Sequence, residues 1–214
     1  MIASFTHDFI FVKSRKVGGT SLEIVLSGWC SGRDICTPIP PEDEAIRGSF
    51  GGAARNFRGA RGGLAFYNHM PATDIRARLP GLWSRAFKFA VDRHPYEKVV
   101  SRAWWNIGRR GGSPEAELDS EIDAAIASKS YLNFPLYCEN GEVIVDEVWR
   151  YEEMWDRLAA LGQRLGQVIP EAPPRAKGGH RRDPRPAREV LSPGQRRRIA
   201  EDARVEFELL GYDA

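Results

Sequence analysis

Apolar residues come in short runs, set apart by stretches rich in glycine, proline and arginine. The first run, Phe9-Ile10-Phe11-Val12, is β-rich and predicts a buried strand. A polar turn follows from Lys13 to Gly19. Leu22 to Leu26 then read as a helix, with Thr20 or Ser21 as its N-cap and Glu23 three residues after Thr20, as in a capping box. Leu64-Ala65-Phe66-Tyr67 predicts a second strand, and Thr73 to Leu79 a helix stopped by Pro80-Gly81. His69 thus falls at a strand-to-helix turn. In Arg85 to Val91, Phe87, Phe89 and Val91 alternate with Ala86, Lys88 and Ala90, the pattern of a third strand. Asp92-Arg93-His94 form a turn, and Pro95 suits the first position of a helix running on to Trp105.

The remainder is less periodic. Gly28–Gly63 predicts a long, partly mobile loop with interleaved Arg, Gly and Phe. Pro114–Ser128 reads as a surface helix. Asn140-Gly141 signals a tight hairpin before a strand at Val143–Val145. Met154–Leu165 is an amphipathic helix, Pro170–Pro186 a loop, and Ser192-Pro193 cap and open a terminal helix. No internal repeat is present, and 214 residues suit one α/β domain, 1–214.

Composition narrows the classes. Hydrophobic content of 42% and charged content of 28% are those of a globular protein, and a net charge of +2 gives no global reason to bind nucleic acid. The basic residues cluster, however, at Arg47, Arg55, Arg58 and Arg61, and again at Arg175, Lys177, Arg181, Arg182 and Arg185. No apolar run approaches membrane-span length, and the chain enters its first strand too early for a signal peptide. Cys30, Cys36 and Cys138 are odd in number and lack CxxC spacing, which fits a reducing cytoplasm; a Cys30–Cys36 bond stays open. The expected compartment is therefore cytoplasmic, with no membrane span and no nucleic-acid partner.

Three places carry candidate chemistry. A strand, a glycine turn and a helix form a phosphate-binding geometry, because the first amides of a helix lack internal partners and its dipole favours an anion there. Gly18-Gly19 admits the anion closely, and Lys16, Thr20 and Ser21 add a cation and hydroxyls. The order differs from GxxxxGK[ST], since here the lysine precedes the glycines. His69 is a candidate general base. Arg93 and Ser101 flank the start of one helix, where a second phosphate can meet both.

Lys16-Val17-Gly18-Gly19-Thr20-Ser21 resembles the 5′-phosphosulfate loop of sulfotransferases that use 3′-phosphoadenosine 5′-phosphosulfate (PAPS). Val91–Ser101, VDRHPYEKVVS, resembles the 3′-phosphate motif of the same family, with its serine eight residues after its arginine. YNHMPATDIRARLP resembles the stretch carrying the catalytic histidine in carbohydrate-type members and their bacterial relatives. VDEVWRYEEMWDRLAALGQRLG and the terminal LSPGQRRRIAEDARVEFELLGYDA also resemble family segments. The likeness is weakest over Gly28–Gly63 and Gly111–Cys138. Val17 stands where relatives often carry threonine. Asp92 stands where they are usually apolar, and a carboxylate there competes for Arg93.

The resemblance implies a three-layer α/β/α, P-loop-like fold with a mostly parallel sheet. It implies sulfuryl transfer from PAPS, without a metal, to a hydroxyl or amine, with a carbohydrate or glycoconjugate as the favoured acceptor. Lys16 would stabilise the leaving oxygen and His69 would take the acceptor proton, with a rate rising through the ordinary imidazole range. Lys16, Val17, Gly18, Gly19, Thr20 and Ser21 would hold the 5′-phosphate, Arg93 and Ser101 the 3′-phosphate. Arg181 and Arg182, in the Arg175–Arg185 stretch, would close over the nucleotide. Two alternatives compete: a magnesium-dependent nucleotide phosphotransferase, and a non-catalytic polyanion or nucleic-acid binder using the Arg-rich loops.

Overall fold

The structure is a computed structural model. It describes every residue except Arg175, Lys177 to His180 and Arg182, and Glu115 by its backbone only. The strands are β1 (Ile2–Ser4), β2 (Phe9–Val12), β3 (Ile35–Cys36), β4 (Phe87–Asp92), β5 (Cys138–Glu139), β6 (Glu142–Val143) and β7 (Glu147–Arg150). The helices are α1 (Gly19–Gly28), α2 (Pro41–Ser49), α3 (Ala72–Arg78), α4 (Pro80–Trp83), α5 (Pro95–Arg110), α6 (Pro114–Ala127), α7 (Phe134–Tyr137), α8 (Met154–Leu165), α9 (Ala187–Val190), α10 (Pro193–Asp202) and α11 (Arg204–Leu210).

Five strands form one sheet in the order β3-β1-β2-β4-β7. β2, β4 and β7 are parallel, in the registers Phe11↔Phe89 and Val91↔Trp149, whereas β1 runs antiparallel to both β2 and β3. The sheet is therefore mixed, which corrects the mostly parallel expectation. The hairpin from Ser4 to Phe9 is short enough to return the chain antiparallel, and a three-residue strand leaves too little pattern to read.

Side-chain alternation buries both faces. Phe9, Phe11, Phe89 and Val91 pack with Leu22 and Leu26 of α1 and Leu158 of α8. Ile10, Val12 and Ala90 face the other way, toward Met70, Ile75 and Leu82. A third cluster joins α5, α6, α10 and α11 through Val99, Ala103, Ile122, Ile199 and Phe207. Among the described residues no helix is long and apolar enough to cross a membrane.

Other expectations need correcting. Leu64–Tyr67 is not a strand: Leu64 is 60% exposed and makes only an isolated bridge to Arg58, while Phe66 alone is buried. Gly28–Gly63 is not one long loop: it holds β3 and α2, and Arg47 of α2 is fully buried. The terminal helix is broken at Ala203 into α10 and α11. Ser192 does cap α10, in a full capping box with Gln195. Asn140 and Gly141 do turn the β5–β6 hairpin, both at positive φ, though its second strand is Glu142–Val143.

Candidate functional site

The parallel arrangement of β2, β4 and β7 delivers three strand ends to one edge of the sheet. The segments leaving them, Lys13–Ser21, Arg93 and Tyr151, line a single cleft of about 660 Å³. Lys16 to Ser21, His69, Arg93 and Ser101, predicted separately from the sequence, all line it.

The loop from β2 to α1 is shaped by left-handed backbone. Lys16 has φ 61° and Gly18 φ 69°. A Cβ on Gly18 would come within 3.1 Å of the Tyr151 ring, so glycine fits there by its left-handed φ and leaves room for the ring. Gly18, not Thr20 or Ser21, is the N-cap of α1, and no side chain caps the helix. The first bonded amides are those of Ser21 and Leu22, both to the Gly18 carbonyl. Among the described residues nothing accepts from the amides of Gly19 and Thr20, which leaves them for an anion. The Ser21 hydroxyl accepts from the Ala176 amide at 3.1 Å.

Glu23 does not complete a capping box. It is fully buried beneath the loop and accepts from Lys13 Nζ at 2.5 Å, the Met1 amine at 3.0 Å and Thr37 Oγ1 at 3.0 Å, with Arg47 at 3.5 Å. Burial works against its charge, but Lys13, the Met1 amine and Arg47 outweigh it and hold the carboxyl at about 2.

His69 sits at φ 60° and donates from Nδ1–H to the Lys13 carbonyl at 3.1 Å, which leaves the lone pair on Nε2. Burial first, and then Lys13 and Arg15, lower its pKa from 6.5 to about 3. The imidazole is therefore held neutral well below its usual range in the ligand-free cleft.

The far wall is α5. Arg93 lies over the Tyr151 ring, 4.4 Å from its centroid, and pairs with Glu97 at 3.2 Å. Glu97, Ser101 and Trp105 follow at steps of four, on one helical face. The Trp105 ring has Lys16 at 5.1 Å, Arg102 at 5.9 Å and Arg109 at 5.1 Å from its centroid. Asp92 does not compete for the Arg93 guanidinium. It is fully buried and receives Lys98 Nζ, Asn133 Nδ2 and the Tyr137 hydroxyl, each at 2.8 Å, and the Arg93 amide at 2.7 Å.

Arg181 is not a lining residue. It pairs with Glu97 at 2.5 Å, behind Arg93. Arg182, with Arg175 and Lys177 to His180, lies outside the described residues. Of the surrounding stretch, Pro174 and Ala176 do reach the cleft.

Several lining residues were not singled out individually in the sequence, although most fall within stretches it marked. Ser14, Arg15 and Lys13 are contiguous with the predicted loop; Arg102 and Trp105 follow Ser101 on α5; Tyr151, Met154 and Trp155 come from the β7–α8 junction. The Ser14 hydroxyl and the Nε atoms of Arg93 and Arg102 are buried with no partner among the described residues.

Five basic side chains, Lys13, Arg15, Lys16, Arg93 and Arg102, line this cleft, and no acidic one does among the described residues. In a chain of net charge +2, that is a local excess of positive charge. Compared with protein-family models, curated proteins and solved structures, the chain matches none of them. Among the described residues no group of three or more His, Cys, Asp or Glu is placed to hold a metal ion.

Proposed function

We propose that the cleft binds PAPS and transfers its sulfuryl group to an acceptor hydroxyl, in a P-loop-like sulfotransferase fold. The observation carrying this reading is the convergence of the Lys16–Ser21 loop, Arg93, Ser101 and His69 on one cleft whose described lining residues include cationic and no acidic side chains. The unsatisfied donors fit the ligand: the Gly19 and Thr20 amides and the Ser14 hydroxyl suit the 5′-phosphosulfate, and the Arg93 Nε suits the 3′-phosphate. Tyr151, Met154, Trp155 and Pro174 offer an apolar wall for the base.

PAPS supplies the sulfuryl group and a bisphosphate leaving group. His69 Nε2 takes the acceptor hydroxyl proton as the new S–O bond forms and the bond to the 5′-phosphate oxygen breaks; adenosine 3′,5′-bisphosphate leaves. Lys16 and the α1 amides meet the negative charge developing on the leaving oxygen. The lowered pKa of His69 keeps its base form available, and an anion beside Lys13 and Arg15 offsets the cations that lower it. A carbohydrate is the favoured acceptor, with Trp105 on the wall beside Lys16 and Arg102. Magnesium-dependent phosphotransfer would call for a carboxylate facing the phosphates, and the described lining residues offer none.

The test is sulfuryl transfer from labelled PAPS to a panel of saccharides. His69→Ala should lose about a hundredfold or more in turnover while keeping PAPS affinity within about threefold. Turnover by His69→Ala equal to wild type would remove the base assignment.

A further inference from the structure

The two phosphate motifs come from different strands, yet one buried side chain bonds the residue that precedes each, Arg15 before Lys16 and Asp92 before Arg93. Asn133, at the N-terminus of α7, is 0% exposed. Its Oδ1 accepts from the Arg15 amide at 2.9 Å, and its Nδ2 donates to the Arg15 carbonyl at 3.0 Å and to Asp92 Oδ1 at 2.8 Å. Asp92 in turn accepts from the Arg93 amide at 2.7 Å. Both hydrogens and the oxygen of the carboxamide are thus used, on the loop that leads to Gly18-Gly19 and on the strand end that carries Arg93. The Asn133 amide is itself anchored, donating to Glu206 Oε1 at 2.5 Å, and the Phe134 amide reaches the same oxygen at 2.8 Å.

We infer that Asn133 is a positioning residue that sets the separation of the two phosphate-binding motifs, and so makes the cleft selective for a ligand carrying two phosphates at a fixed distance. This rests on the nucleotide reading above. A ligand with both groups gains from the second only if the two sites are held at its span, because the second contact is then made within an existing complex. Asn133 touches neither phosphate site with its own lining surface; it acts through Arg15 and Asp92. A carboxamide is the side chain that can do this, since Arg15 presents an N–H and a C=O together while Asp92 needs a donor. Asn133→Asp would set a carboxylate against both the Arg15 carbonyl and Asp92.

The test compares adenosine 3′,5′-bisphosphate with adenosine 5′-monophosphate by calorimetry on wild type and Asn133→Ala, with amide exchange followed in both proteins without ligand. Wild type should prefer the bisphosphate. In Asn133→Ala that preference should fall about tenfold, with monophosphate affinity within about threefold of wild type, because the loop still closes on one phosphate. Exchange at Arg15 and Lys16 should be about tenfold faster in the variant. A proportionate loss of both affinities, or an unchanged ratio, makes Asn133 merely structural and overturns the inference. A wild type with no preference between the ligands defeats the nucleotide reading instead, and the exchange result then decides alone whether Asn133 holds the loop. Should the variant not fold, wild-type exchange still decides: an Arg15 amide about a hundredfold slower than a free amide supports the clamp, and an unprotected one overturns it.

Discussion

Two buried ion clusters underlie the cleft, and they are opposite in charge. Under the phosphate loop, Glu23 is surrounded by Lys13, Arg47 and the Met1 amine; burial lowers the amine to about 6, and the two buried side-chain cations still outnumber Glu23. Behind Arg93, Lys98 is shared by Asp92 at 2.8 Å and Glu206 at 2.5 Å, so carboxylates are in excess. The chemistry of each follows. Glu23 is driven down to about 2, whereas burial and the neighbouring Asp92 raise Glu206. The lesson is that neither cluster is only a stabilising pair. The first adds positive potential beneath the site for an anion and depresses His69. The second spends its excess negative charge on hydrogen bonds to the Asn133 and Phe134 amides, which fix the polypeptide behind the site.

The largest expected effect separates the clusters by stability. Glu23→Gln leaves the buried Lys13 without its carboxylate and Arg47 with Glu44 alone, and should cost about 3–5 kcal/mol in urea unfolding, whereas Glu206→Gln relieves an excess carboxylate and should cost about 1–2 kcal/mol. Equal losses would erase the distinction. Their pH dependences should also differ in sign. The depressed Glu23 contributes stability that is present above its unfolded value of 4.5 and lost as pH falls toward about 2. The raised Glu206 contributes stability that is present below 4.5 and lost as pH rises through its higher folded value. Wild-type-minus-variant stability plotted against pH should therefore slope upward for Glu23 and downward for Glu206.

A smaller effect falls on His69. Its folded pKa of about 3 lies below the ordinary 6.5, so the unfolded chain takes up a proton that the folded one does not, and this group's contribution falls as pH drops from 6.5 toward 3. In kcat/KM, His69 should therefore give no acid limb above about pH 4. An NMR titration of Lys13→Met should show the imidazole pKa moved upward; an unmoved value would detach the cationic cluster from the site. The smallest effect concerns Glu97, which burial opposes but the Ala187 amide, Arg93 and Arg181 hold in its charged form. Glu97→Gln should release Arg93 and raise bisphosphate affinity by about threefold, read by calorimetry.

What was legible in the sequence was local. Phe9–Val12, the glycine turn, the alternation of Phe87, Phe89 and Val91, and Pro95 opening α5 each rest on neighbours within a few residues, and all stand in the fold. That sufficed to bring Lys16–Ser21, Arg93, Ser101 and His69 to one cleft. Glu23 misled because its spacing from Thr20 satisfies a local rule, while its true partners, Lys13, Thr37, Met1 and Arg47, lie ten or more residues away in sequence. Asn133 left no signal for the same reason: it meets Arg15 across 118 positions. The β1 hairpin was too short for periodicity, and α2 was hidden in a stretch dominated by glycine and proline although Pro41 and Glu42-Asp43-Glu44 form a recognisable helix start.

The central claim is that this cationic cleft is built for an adenosine carrying phosphates at both ends of its ribose. Calorimetry of the wild-type protein with adenosine 3′,5′-bisphosphate, run beside ATP without and with magnesium, tests it most directly. The account predicts binding of the bisphosphate, weaker binding of ATP, and a bisphosphate affinity that falls about tenfold or more in Arg93→Ala. Binding of ATP but not of the bisphosphate, or a bisphosphate affinity unchanged in Arg93→Ala, would contradict it.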